Sequence, residues 1–239
     1  MNRTLYTLLL RMLAPAVVLH QAWLRWREPL YRGRALERWG LGSVLSPVAG
    51  GTVWLHAVSV GEVQAAVPLV RALLQQVPVR RIVMTTTTST GAARVAALFG
   101  GAVVHRFLPL DYPGAVARFL DRVRPAQAVV LETEIWPNLY AECQRRGIPL
   151  LIASARLSVR TIGTYRRLRS LFAPALGSGG VTVLAQTAAD AQRYLELGAL
   201  PTQCRVAGNL KFELSVSTAT REQGRTWREQ WNAAGPRFV

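Results

Sequence analysis

The sequence contains few of the residues that build covalent cross-links or metal sites. It has two cysteines, Cys143 and Cys204, and three histidines, His20, His56 and His105. The cysteines are far apart and lack the paired spacing of a disulfide framework or a zinc site. The histidines are too widely separated to form a local metal cluster. We therefore predict a protein of a reducing compartment that binds no metal.

Acidic residues are also scarce. Asp and Glu number 13 against 29 Lys and Arg, which gives a formal net charge of +16, and arginine carries nearly all of the positive charge. Because 50% of the 239 residues are hydrophobic, the chain is able to bury a core. The basic excess calls for an anionic partner: a nucleic acid, an acidic membrane surface or a phosphorylated substrate. Composition alone leaves these three open.

An uninterrupted transmembrane run is missing from the N-terminus. Residues 5–24 are about long enough to cross a bilayer, but the stretch contains Arg11, Pro15, His20 and Gln21. The segment that follows mixes indole and guanidinium groups as interfacial anchors do, with Trp23, Arg25, Trp26, Arg27, Arg32, Arg34, Arg38 and Trp39. We predict a membrane-associated helix and a basic interfacial segment over residues 1–45, either spanning the membrane or lying on it.

The same apolar segment has features of a secretory signal, because the small residues Ala14 and Ala16 follow an apolar run, and of an ordinary core helix. A signal sequence does not hold a charge such as Arg11 inside its apolar region. Membrane association is therefore favoured, and the basic flank places the rest of the chain in the cytoplasm.

Strand-like runs alternate with helical patterns from residue 52 almost to the end. Each run is short, apolar and bounded by turn residues: 52–58, 81–85, 102–107, 127–132, 149–154 and 181–185. Amphipathic stretches lie between them, such as 62–76, 114–123 and 138–147. This alternation predicts an α/β fold, a doubly wound parallel sheet that binds ligands at the carboxyl ends of its strands.

We assign this Rossmann-like domain to residues 46–215. Residues 216–239 are predicted to be a linker helix and the start of a further domain, because the sequence from Gly235 resembles the beginning of a strand. We therefore expect the chain to be part of a two-domain protein and to be inactive alone.

The loop after the first strand carries Ser59, Gly61 and Glu62. In a doubly wound sheet this loop borders the ligand, so Glu62 is placed to take a proton from an attacking hydroxyl. The S-x-x-E spacing is equally that of a capping box, in which each side chain satisfies a backbone donor at a helix start. The residues alone favour the capping role.

The loop after the fourth run groups two acids, an indole and a proline: Glu132, Glu134, Trp136, Pro137 and Asn138. A proline and one acid suit a helix start, but this does not account for both acids beside an indole. The grouping is typical of a sugar-binding or catalytic site. The hydroxyl-rich loop 85–91 is compatible with phosphate or sugar binding, and more commonly with capping.

Basic residues follow the later strands. A run of five arginines lies in or beside one predicted helix, as a solvated basic face or as a phosphate site: Arg156, Arg160, Arg166, Arg167 and Arg169. Lys211 follows the last strand-like segment, where it either neutralises developing negative charge or pairs with Glu213.

Six motifs occur together in the order and approximate spacing seen in transferases of 3-deoxy-D-manno-octulosonic acid (Kdo): HAVSVGE, TTTTSTG, LPLDYP, ETEIWPNL, ARLSVRT and GNLKFE. From residue 5 to its end the chain resembles this glycosyltransferase family. The resemblance implies a GT-B fold, of which the N-terminal acceptor-binding half is present here. It also implies a place in lipopolysaccharide biosynthesis at the cytoplasmic face of the cell inner membrane.

The resemblance further implies a reaction and its residues. Kdo passes from CMP-Kdo to the 6'-hydroxyl of a lipid A precursor, lipid IVA, with inversion and without metal or cofactor. Glu62 inherits the role of general base, which overturns the capping interpretation, and Glu132 and Lys211 support the transition state. The predicted acceptor-binding residues are Ser59, Gly61, Glu134, Trp136, Asn138 and Arg156.

The implied partners are the lipid A precursor, CMP-Kdo and the anionic lipids of the inner membrane, and no nucleic acid. The chain departs from the family at Ser154, where an asparagine is usual and a serine shortens the reach of the hydrogen-bonding group. Two alternatives stay open: a membrane-bound GT-B glycosyltransferase with another donor, and a non-enzymatic basic module that binds membrane or nucleic acid without using Glu62.

Overall fold

The computed structural model describes residues 1–76, 80–213 and 218–231. Its strands are β1 (Thr52–His56), β2 (Arg81–Thr86), β3 (Val103–Phe107), β4 (Pro125–Leu131), β5 (Leu150–Ala155), β6 (Val181–Ala185) and β7 (Cys204–Val206). They form one sheet in the order β3-β2-β1-β4-β5-β6-β7, and every pairing is parallel. The predicted parallel α/β sheet and its six strand-like runs are confirmed.

The helices are α1 (Arg3–Met12), α2 (Ala14–Arg27), α3 (Pro29–Arg32), α4 (Val60–Ala65), α5 (Val67–Leu74), α6 (Ser89–Phe99), α7 (Pro113–Val123), α8 (Pro137–Arg145), α9 (Val159–Arg167), α10 (Arg169–Leu176), α11 (Ala188–Leu197) and α12 (Thr218–Gln230). Short 3-10 turns occupy Ala35–Trp39, Gly100–Ala102, Pro201–Gln203 and Leu210–Glu213. The helical stretch predicted at 62–76 is divided into α4 and α5, because Pro68 has no N–H to continue the helix.

Successive strand residues face two separate cores. Val53 and Leu55 of β1 pack on the side covered by α4, α5 and α6. Trp54, between them, packs on the opposite side with α7, α8, α10 and α11. Since each face is covered by helices, the strands are apolar on both sides, which is why they were recognisable as continuous apolar runs.

The N-terminal apolar stretch forms two helices rather than the one predicted over residues 5–24. α1 and α2 meet at a bend of 59°, and in the described part of the chain no single helix is long and apolar enough to cross a membrane. Pro15 lies in the first turn of α2, where its missing N–H fits the start of a new helix. α1 is fastened to the domain: Thr7 donates to Asn138 Oδ1 at 3.0 Å, and the Tyr112 hydroxyl donates to the Leu10 carbonyl at 2.8 Å.

Residues 28–45 are held against β3 by a buried carboxylate. Glu37 accepts from Arg34 at 2.8 Å and from the backbone N–H of Phe107 at 2.8 Å. Gly40 then reverses the chain with a φ of 74°, packed directly against α7. The remaining terminal prediction, a strand beginning at Gly235, lies outside the described residues.

Replacing Gly40 by alanine should destabilise the protein by about 3 kcal/mol, because a Cβ would both require a left-handed backbone and collide with the Ala115 carbonyl. Gly33→Ala is the matched control, since Gly33 lies at a φ of −87° with no atom within 4 Å of an added Cβ. Urea unfolding of both variants checks this. Equal midpoints for the two would contradict it.

Candidate active site

The carboxyl ends of β1 and β4 lie side by side where the strand order reverses. The connections beyond these two strands run to opposite faces of the sheet and leave a crevice, the usual ligand site of an open α/β sheet. The β1 loop (residues 57–59), the β4 loop (residues 132–136) and the segment after β7 (residues 207–211) supply its polar groups.

Glu62 lies in the first turn of α4, and its carboxylate turns back to the β1 loop. The Val58 N–H donates to Oε2 at 2.7 Å, and the Ser59 hydroxyl lies 3.5 Å from Oε1. Ser59 is the N-cap residue, but its side chain bonds no backbone N–H. The reciprocal capping box that the spacing suggested is therefore wrong: only the glutamate meets a backbone donor.

Burial raises the pKa of Glu62 above its ordinary value, and the nearby charge of Glu132 raises it further. The bond from the Val58 N–H, the Ser59 hydroxyl and the charge of Lys211 act in the opposite direction. A carboxylate with a raised pKa is a stronger base, and Oε1 has only the long contact to Ser59. Glu62 is thus equipped to accept a proton.

Lys211 reaches from the segment after β7 to the β4 loop. Its Nζ lies 2.8 Å from Oε1 of Glu132. The pairing with Glu213 that the sequence suggested as one of two roles is therefore wrong, and the other role, neutralising developing negative charge, stays a prediction. Lys211 is the only lysine in the sequence. Glu132 has a φ of 58°, a conformation that costs a non-glycine residue about 1–3 kcal/mol and is concentrated at functional sites.

Glu134 lies in the same loop, half-buried beneath Trp136. Burial, followed by the charge of Glu62, raises the pKa of Glu134 to about 7. The Trp136 indole donates to Oε2 at 2.9 Å, and the Tyr140 hydroxyl donates to the Glu134 carbonyl at 2.9 Å. Hydrogen bonds from neighbouring side chains therefore hold the loop in place, and the Glu134 carboxyl group gains or loses its proton near neutral pH.

Ser154 has a supporting role that the sequence did not reveal. Its φ of 51° lies in the left-handed region, which few residues other than glycine adopt and in which asparagine is enriched. Its hydroxyl accepts from the Leu210 N–H at 2.9 Å. The shorter serine thus still reaches a partner, and that bond anchors the residue preceding Lys211.

Asp111 is a second supporting residue, in the LPLDYP motif. Its carboxylate accepts from the N–H groups of Asn138 and Leu139 at 3.0 and 2.8 Å and so caps α8, the helix that follows the β4 loop. Asn138 is only 2% exposed and is bonded through both ends of its amide, to Thr7 and to the Asp111 carbonyl. The structure therefore places Asn138 inside the protein and not beside the other predicted acceptor-binding residues.

Gly61 and Arg156 lie on the open side of the crevice. Gly61 is exposed, and an added Cβ there would meet no atom within 4 Å, so the fold does not require a glycine at this position. Arg156 is exposed directly after β5, and in the described part of the chain its guanidinium has no hydrogen-bonding partner. Of the other arginines of that run, Arg166 pairs with Glu196 at 2.5 Å.

The hydroxyl-rich loop after β2 is used internally. Thr88 caps α6 by accepting from the Gly91 N–H at 3.1 Å, and Thr87 donates to the Val58 carbonyl at 3.3 Å. The capping interpretation of this loop is confirmed. Among the described residues, no group of three His, Cys, Asp or Glu side chains is arranged to hold a metal ion.

Comparison with solved structures supports the fold. The UDP-GlcNAc 2-epimerase from Neisseria meningitidis, bound to UDP-GlcNAc, superimposes with a TM-score of 0.52 at 13% identity over 74% of this chain and 53% of that one. At this identity the likeness concerns the fold alone: the chain shares the architecture of about half of that protein.

Comparison of sequences gives the family. The family described as 3-deoxy-D-manno-octulosonic-acid transferase (kdotransferase) matches residues 31–214. The 3-deoxy-D-manno-octulosonic acid transferase of Haemophilus influenzae is 37% identical over all of this chain and 56% of its own length. That of Bordetella pertussis is 38% identical over 95% of this chain and 54% of its own length. The chain thus spans about half the length of these curated relatives, and it belongs to the Kdo transferase family.

Proposed function

We propose that the protein acts in lipopolysaccharide biosynthesis as the acceptor-binding part of an enzyme that transfers Kdo from CMP-Kdo to the 6'-hydroxyl of lipid IVA. The observation that carries the proposal is the position of Glu62. This half-buried carboxylate with a raised pKa lies where the strand order reverses, within electrostatic range of Lys211 and Glu132. The family membership supplies the sugar that is transferred.

In the proposed reaction the acceptor hydroxyl gives its proton to Oε1 of Glu62 while its oxygen bonds to the anomeric carbon of Kdo. The bond from that carbon to the phosphate breaks, and CMP leaves with the electron pair. One base opposite the leaving group suffices for inversion, so the step uses neither metal nor cofactor. The Val58 N–H holds Oε2 and leaves Oε1 for the proton.

Lys211 and Glu132 act together in this scheme. The ammonium group stabilises negative charge that develops during transfer, and Glu132 fixes its position through the 2.8 Å contact. The acceptor lies against Ser59, the open surface at Gly61, Glu134 and the Trp136 indole. Arg156, whose guanidinium is free in the described chain, binds a phosphate of the acceptor. Asn138 acts indirectly, by positioning α8.

We propose that the site works at the cytoplasmic face of the inner membrane, with the N-terminal helices in contact with the lipid surface. Large apolar side chains of α1 and α2 are exposed together, including Leu8, Met12, Leu19 and Trp26. Arginines lie among them, as in helices that bind anionic lipid surfaces. Since α1 is bonded to Asn138, the membrane contact and the acceptor site are mechanically joined.

Glu62→Gln should lower the transfer rate by roughly 10²–10⁴-fold with acceptor binding retained, because the amide cannot take the proton. The measurement is transfer of labelled Kdo from CMP-Kdo to lipid IVA by the protein as its gene encodes it. Glu196→Gln, at the far end of α11, is the control and should transfer at the wild-type rate. A wild-type rate for Glu62→Gln would remove Glu62 from the mechanism.

Glu134→Gln should stabilise the protein at about pH 8 by on the order of 2 kcal/mol, and the gain should vanish near pH 4. The pKa of Glu134 is raised from 4.5 to about 7 in the folded state, so folding favours the protonated form. The stability of the wild-type protein therefore falls as the pH rises from about 4.5 to about 7. Urea unfolding across pH measures the difference.

Glu142→Gln is the control of opposite sign. Hydrogen bonds from Arg145 and Arg146 lower the pKa of Glu142 to about 2, so its contribution is present above its ordinary pKa and is lost as pH falls. This variant should be less stable than wild type at about pH 8. If the free energy of unfolding changed with pH in the same direction for both variants relative to wild type, the raised pKa of Glu134 and the lowered pKa of Glu142 would both be contradicted.

Met12→Asp and Leu19→Asp should each weaken binding to vesicles containing phosphatidylglycerol by about tenfold, because both side chains are 71% exposed and would enter the membrane. Val44→Asp, at a position that is 64% exposed outside α1 and α2, is the control. Vesicle sedimentation provides the measurement. Unchanged binding by both helix variants would exclude this surface as the anchor.

A further inference from the structure

A groove is bordered by α1, α8 and α10. Its volume is about 490 Å³, within the range of roughly 300–1,000 Å³ that holds small-molecule ligands. Arg3, Gln144 and Arg145 line it together with five apolar residues: Pro137, Ala141, Leu171, Pro174 and Ala175. None of these side chains takes part in the site described above.

The groove begins beside that site. Pro137 is the first residue of α8 and directly follows Trp136, whose indole is bonded to Glu134. From there the groove follows α8 to Arg145, the last residue of that helix. The amino group of Met1 donates to Ser170 at 3.2 Å and so ties the start of α1 to α10 across it. A ligand in the groove therefore approaches the catalytic loop along a fixed line.

The rim of the groove carries positive charge. Arg3 borders it and also borders a second depression of about 330 Å³ on the other side of α1, which Arg11 lines as well. In the part of the chain that the structure describes, neither arginine side chain makes a hydrogen bond or an ion pair, and the charge of Arg3 acts on Asp111. An exposed guanidinium group beside apolar side chains is complementary to a molecule that joins a phosphate to an alkyl chain.

We propose that this groove binds one acyl chain of the acceptor lipid, with Arg3 contacting a phosphate of the same molecule. The inference rests on the proposed function, since it takes the acceptor to be an acylated phosphoglycolipid. Leu5, Leu8 and Leu9 of α1, the helix whose Arg3 lines the groove, are exposed. One acyl chain leaves the bilayer between α1 and α8, and the sugar hydroxyl is thereby brought toward Glu62.

Ala141→Trp fills the groove without touching a catalytic side chain, and Ala96→Trp on α6, across the sheet, is the matched control. In the protein as its gene encodes it, Ala141→Trp should raise the KM for lipid IVA at least about tenfold at unchanged kcat. The KM for lipid IVA stripped of its acyl chains should be the same as in wild type. Equal KM values for lipid IVA in all three proteins would overturn the proposal.

A labelling experiment tests the groove independently of transfer. The probe is lysophosphatidic acid with a diazirine in its acyl chain, and adducts are located by mass spectrometry. Adducts should fall within residues 137–145 and 169–176, and their yield should decrease about tenfold in Ala141→Trp. Lipid IVA, but not phosphatidylglycerol, should prevent labelling when it is added before irradiation. Adducts elsewhere, or equal displacement by both lipids, would refute the acyl site. If the groove residues were labelled but the protein transferred no Kdo, lipid binding in the groove would be supported and the proposed function would be refuted.

Discussion

The crevice between β1 and β4 contains three carboxylates and one ammonium group, those of Glu62, Glu132, Glu134 and Lys211. The surrounding loops hold these charges close together. Lys211 meets Glu132 directly, so the repulsion that remains acts on Glu62 and Glu134 and contributes to the raised pKa of each. The backbone of the β4 loop is held from below by two buried tyrosines, with Tyr194 donating to the Glu132 carbonyl at 3.2 Å and Tyr140 to that of Glu134. The charge arrangement is thus preorganised by the core.

Asp111 connects this crevice with the N-terminal helices. Its carboxylate caps α8, and its carbonyl accepts from Asn138, which is bonded in turn to Thr7 of α1. Burial raises the pKa of Asp111 to about 6, against the opposing effect of the two backbone donors. The helix that follows the β4 loop and the helix that exposes apolar residues are therefore bonded to each other at one point.

The sheet was predictable because both of its faces are buried, which leaves a continuous apolar run in every long strand. The rule that ligands bind beyond the carboxyl ends of parallel strands placed Glu62 and Glu132 near each other correctly. The bend between α1 and α2, the burial of Asn138 and the bond from Leu210 to Ser154 were not predictable. The last two depend on contacts between distant segments, which local spacing does not encode. The capping box failed for a local reason, since Glu62 bonds the N–H of the residue before the N-cap.

The scarcity of lysine has a chemical consequence at this site. Lys211 carries the only side-chain amine in the sequence, and 45% of its side chain is exposed despite the contact with Glu132. Among the side chains of this sequence, reagents that acylate amines find a target only at Lys211, because the arginines that carry the surface charge do not react. A reporter group coupled to Lys211 would therefore lie in the crevice between β1 and β4, where it would detect ligand entry and leave the arginines of the surface unmodified.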